Sequence, residues 1–75
     1  NLRRLRLLLA RKLSIPPYMV FADSVLTSMA VLKPADLDSL REIKGIGDHK
    51  RDRYGPVFLA VIAGTDPETA ATNFS

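Results

Sequence analysis

Two glycines one residue apart interrupt the run Leu40-Arg41-Glu42-Ile43-Lys44-Gly45-Ile46-Gly47-Asp48-His49-Lys50. Glycine admits positive φ and lets a phosphate or another backbone approach closely. A helix that begins after Gly47 would offer unpaired N–H groups and a positive dipole end, a natural anion site. Lys44, Lys50, Arg51 and Arg53 surround that point, which suits a nucleic-acid phosphate. The same glycines would also serve a tight helix–helix corner that needs them for packing alone. The residues at the corner leave both readings open.

Other chemistry is hard to assemble. His49 is the sole histidine, and no serine or acid nearby has the spacing of a triad. Asp36 and Asp38 are two apart, so on a helix they diverge, and Asp23 and Asp36 are better suited to capping helices. Without cysteine there is no disulfide scaffold and no thiolate-bound metal. Gly45-Ile46-Gly47 lacks the Gly-Lys-Ser or Gly-Lys-Thr ending of a phosphate-binding loop. No catalytic residue, metal or cofactor is therefore expected.

Seventy-five residues make one small domain, able to bury only about 60–65% of its unfolded surface. No apolar run approaches the roughly 20 residues of a membrane span, and no membrane partner is expected. Leu7-Leu8-Leu9-Ala10 is too short and too close to arginines for a signal peptide. Because it begins with Asn1, the chain is expected to be a piece of a longer protein.

The net charge of +3 is unevenly distributed. Residues 1–15 carry Arg3, Arg4, Arg6, Arg11 and Lys12 with no acid, and residues 44–53 carry four bases against Asp48 and Asp52. The stretch between them and the end of the chain are acidic. Such segregation speaks to partners, not to fold.

The elements that must position these groups are helical. Leu2, Leu5, Leu9 and Leu13 share one face of a helix over 2–13, with Leu8 at its margin and Arg4, Leu7 and Arg11 opposite. Pro16-Pro17 ends it. Tyr18-Met19-Val20-Phe21 is expected to form an irregular or 3₁₀ turn that mostly plugs the core, with the Tyr18 ring outward. Asp23 should cap a helix over 24–32 with Val25, Leu26, Met29 and Ala30 inward. Asp36 should cap a short helix over 37–43. A longer helix over 48–63 buries Tyr54, Phe58, Val61 and Ile62, bends at Pro56 with help from Gly55, and ends at Gly64 in a left-handed cap. Residues 65–75 are expected to be a tail with one helical turn that frays from Thr72. The fold class is all-α, a compact bundle of four to five short helices.

In this order Ile15-Pro16-Pro17-Tyr18-Met19-Val20-Phe21, then Asp23, Leu26, Met29-Ala30 and Pro34, then Leu40-x-x-Ile43-x-Gly45-Ile46-Gly47-x-x-Lys50-x-x-x-Tyr54-Gly55-x-x-Phe58-Leu59-x-x-Ile62 resemble the HRDC domain, named for helicase and RNase D C-terminal. The resemblance covers residues 2 to about 64, making 1–64 the domain and 65–75 the tail. It implies a non-catalytic module of a RecQ-type DNA helicase that tunes substrate choice by weakly holding single-stranded or partly duplex DNA. ATP-driven unwinding would belong to other domains of the parent. The alternatives, implied by other members, are a regulatory module docked on the parent helicase core or a partner and a substrate-positioning domain of an RNase D-type exonuclease. Carried onto matching positions, Tyr18 is the stacking candidate and Lys50 the phosphate candidate. Arg11, Lys12, Lys33, Lys44 and Arg51 carry over as surface-charge candidates. The resemblance further implies a monomeric isolated domain in a parent that works at the chromosome, in the bacterial cytoplasm or the eukaryotic nucleus.

Overall fold

The computed structural model describes residues 1–74. Among the described residues there are five α-helices: α1 (Leu2–Leu13), α2 (Asp23–Leu32), α3 (Leu37–Leu40), α4 (Asp48–Ile62) and α5 (Pro67–Asn73). A 3₁₀ turn over Pro17–Met19 links α1 to α2, and there is no strand among the described residues. The all-α expectation holds.

The leucine spacing of α1 does what its periodicity implies. Leu5 and Leu9 are fully buried with Ala10 beside them, while Leu2, Leu8 and Leu13 pack at the margin. The helix stops at Ser14, which turns left-handed (φ 58°), and the Ile15 amide closes back on the Ala10 carbonyl. Residues 15–23 then run back along α1, where Arg6 Nη1 donates to the Phe21 carbonyl at 3.0 Å. Val20 and Phe21 fill the core as expected, but Met19 stays half exposed.

Phe21 is the hinge of the apolar core. Its ring meets Phe58 edge-on at 5.0 Å and Tyr54 at 5.8 Å. Edge-to-face pairs of this kind add about 0.5–1.5 kcal/mol beyond the area they bury.

Four expectations need correction. Asp23 does not cap α2: Ala22 occupies the N-cap position, and the Asp23 carboxylate accepts from Arg6 at 2.7 Å and Arg3 at 3.3 Å. Two arginines held on the neighbouring helix outcompete the local amides for it. Ala30 faces solvent, because α2 turns only Val25, Leu26 and Met29 inward. The third helix ends at Leu40 instead of Ile43, although Asp36 does cap it by accepting from the Ser39 amide at 2.8 Å.

The fourth concerns residues 65–74, which form a seven-residue helix that continues through Thr72 to Asn73. Asp66 caps it, Ala70 and Ala71 are buried, and Phe74 stacks on Tyr54 with centroids 5.8 Å apart. The expected fraying at Ser75 lies outside the described residues.

Gly55 serves packing. A Cβ there would come within 2.6 Å of Leu37 Cδ2 and 3.1 Å of Leu40 Cδ1, so its absence lets α3 lie close against α4. The helix runs on through Pro56 to Ile62, and Gly64 follows with φ 118°.

Candidate nucleic-acid interface

Tyr18 is mounted rigidly. Pro16 and Pro17 pre-set their own φ, and the amides of Met19 and Val20 close the turn on the carbonyls of Pro16 and Pro17, both at 3.0 Å. The buried Val20 and Phe21 anchor the far side, leaving the Tyr18 residue 68% exposed. With the backbone beneath it fixed, the ring can stack on a base at little cost in backbone freedom.

The glycine corner sits on the element that this turn feeds into. Gly45 adopts φ 97°, and a Cβ there would lie 3.3 Å from Val25 Cγ2 in the first turn of α2. Gly47 is the N-cap of α4 and supplies no side chain to the first amides. Those amides and the helix dipole favour an anion. Asp48 stands in the same turn, but its carboxylate is held by Arg51 at 3.0 Å. Lys44 and Lys50 flank the corner with no carboxylate partner among the described residues.

The seven candidate residues thus fall into groups. Lys44 and Lys50 bracket the glycine corner, which packs on the start of α2, and Tyr18 stands on the 3₁₀ turn that precedes that helix in the chain. Arg11 is exposed on the last turn of α1, which leads into the proline turn, and has no ion-pair partner among the described residues. Lys33 is exposed at the opposite end of α2, ten residues or about 15 Å along the helix from its start. Lys12 and Arg51 are engaged internally. Lys12 Nζ donates to the carbonyls of Ala71 at 2.9 Å, Thr72 and Phe74, closing the end of α5. The Arg51 side chain is only 11% exposed between Asp48 and Asp52.

Two arginines make contacts that sequence reasoning did not assign them. Arg53 lies over both Tyr54 and Phe74, 5.6 Å from each centroid, a contact invisible while residues 65–75 looked like a tail. Arg6 joins the return segment to α1, and its hydrogen bond and charge, with help from Arg3, hold the Asp23 carboxyl below the usual carboxylate range. Its i, i+3 partner Arg3 was the available signal, because both sides of that step converge on one acid.

Comparison with known proteins agrees with this architecture. The HRDC domain family profile matches residues 1–62. The ATP-dependent DNA helicase RecQ of Bacillus subtilis (strain 168) is 41% identical over 62 residues, covering 83% of this chain and 10% of the relative. The ATP-dependent DNA helicase UvrD2 of Mycobacterium tuberculosis (strain ATCC 25618 / H37Rv) is 38% identical over 64 residues, 85% of this chain and 9% of its own. The ATP-dependent DNA helicase hus2/rqh1 of Schizosaccharomyces pombe is 41% identical over 64 residues, 81% of this chain and 5% of its own. The chain thus spans about a tenth or less of the length of these relatives. No solved structure matches. The whole of α5 lies beyond the residues matched by the family profile, whereas the proline turn, the glycine corner and the helices that join them fall inside, and on that footing the chain belongs to the HRDC domain family.

Proposed function

We propose that this domain is an accessory module of a RecQ-type DNA helicase that weakly holds single-stranded DNA and so biases which substrates the parent engages. The observation that carries the reading is a tyrosine residue 68% exposed on a proline-fixed turn, in a domain whose Lys44 and Lys50 have no acidic partner among the described residues. Tyr18 stacks on a base. Lys44 and Lys50 neutralise phosphates at the amino end of α4, and Arg11 extends the cationic track toward the proline turn. The relatives named above are all DNA helicases, which favours a helicase parent over an RNase D-type exonuclease. Unwinding and ATP turnover then belong to the rest of that parent.

Titration of a labelled oligothymidine by fluorescence anisotropy at several salt concentrations tests this. Three phosphate contacts give a log–log salt slope of roughly −2 for a single strand. Replacing Tyr18 with alanine should weaken binding by about 1–3 kcal/mol, the value of one stacked base, with the thermal midpoint unchanged. No binding at low salt, or full binding by Tyr18→Ala, removes the reading.

A further inference from the structure

The far end of α2 carries a different kind of surface. A groove of about 570 Å³ opens there between the start of α1, α2 from Leu26 onward and the end of α4. Leu26 and Val61 floor it, Leu2 and Ile62 wall it, and Val31 stands at its lip 74% exposed. Leu32, the next residue, is also more than half exposed. Apolar side chains gathered in this way at a groove are a common mark of a docking surface.

The rim has one sign of charge. Among the described residues no carboxylate lines the groove, whereas Arg3 and Lys33 do. Arg3 is partly neutralised by Asp23, but Lys33 has no acidic partner among the described residues. Lys33 also adopts the left-handed conformation (φ 47°) just past α2, a position that glycine occupies with less strain. The dipole of α2 favours a cation at this end, and the ammonium remains free for a second anion. A nucleic-acid backbone would meet the charge and leave the apolar walls unused. A segment with both carboxylates and aliphatic side chains would satisfy both.

We infer that this groove receives a short acidic amphipathic segment of a partner protein. Its apolar side chains enter between α1 and α2, and its carboxylates meet Lys33 and Arg3. The inference is independent of the DNA reading, since it uses the end of α2 away from the glycine corner.

The test is a titration of the ¹⁵N-labelled chain with a synthetic amphipathic helix of leucine and glutamate, followed by amide shifts. Shifts should gather at Leu2, Leu26, Val31, Lys33 and Ile62, and a leucine–lysine peptide of the same pattern should cause none. Lys33→Gly removes the charge and relieves the backbone strain together. It should weaken peptide binding about two- to five-fold, the value of one exposed ion pair, while the melting temperature stays level or rises. Val31→Glu, at an exposed position, should weaken binding more than about ten-fold by placing a like charge at an apolar contact. Scattered shifts, or an equal response to the leucine–lysine peptide, overturn the inference. So does oligothymidine moving the same amides, which would assign the groove to nucleic acid. Groove shifts on concentrating the chain alone would assign it to a second copy, and also overturn it.

Discussion

The two basic segments differ in what their charges do. Residues 1–15 carry five cations and no acid, yet four of the five are engaged within the molecule. Arg3 and Arg6 share Asp23, Arg4 pairs with Glu68 at 2.9 Å, and Lys12 closes the end of α5. Residues 44–53 carry four cations diluted by two acids, and there Lys44 and Lys50 meet no acid among the described residues. Both acids are gathered on Arg51, which takes them off the neighbouring lysines. Net charge along a segment therefore misreports the charge available to a partner. Acids from 20 and 64 residues away decide the matter for α1, and folding alone brings them there.

The sharpest way to break this comparison is to remove α5. A chain ending at Gly64 loses the buried Pro67, Ala70 and Ala71 and the Phe74 contact, and strips Arg4 and Lys12 of their partners. Urea unfolding should show a loss of about 3–5 kcal/mol from the apolar area alone. A domain of this size has only about 4–11 kcal/mol in all. An unchanged midpoint would mean that the charges on α1 are not tied to the closing helix.

The next effect separates the segments directly. The pair Lys44→Ala and Lys50→Ala should make the salt slope of oligonucleotide binding shallower by about 1.4, the share of two phosphates. The pair Arg3→Ala and Arg4→Ala, an equal change in net charge, should leave that slope as it was. If both pairs act alike, bulk charge is what matters and the distinction fails.

A smaller effect concerns Lys12 alone. Lys12→Met keeps the aliphatic stem and removes the cation from the carboxyl end of α5. It should cost about 0.5–1 kcal/mol in thermal unfolding and leave DNA affinity unaltered.

The smallest is a pH dependence. The hydrogen bond and charge of Arg6, reinforced by Arg3, hold the folded Asp23 carboxyl below its ordinary 3.8. The stabilisation is then fully present above the ordinary value and fades as pH falls through the lowered one. Asp23→Asn should melt below the unaltered chain at neutral pH, and the two should converge well below pH 3.8. A gap that persists in acid would point to lost packing instead of lost charge.

Much of this was legible without coordinates, for reasons that differ by residue. The leucine periodicity of α1, the stop at Pro16-Pro17, the Asp36 cap and the left-handed Gly64 depend on neighbours within a turn, and local chemistry suffices for them. Gly55 shows the limit. Beside Pro56 it suggests a bend, whereas the space it leaves belongs to Leu37 and Leu40. Asp23 shows it again, being a good cap until two arginines from another helix reach it.

The order and type of the helices, the proline-fixed turn with its outward ring and the family motif follow from residue types and short spacings, because backbone propensity and apolar periodicity act over a few residues. Which lysines stay free, why α5 belongs to the core and how the apolar groove comes to be rimmed by cations were settled only in three dimensions. Each depends on side chains from distant parts of the chain competing for the same partner, and proximity of that kind is created by packing.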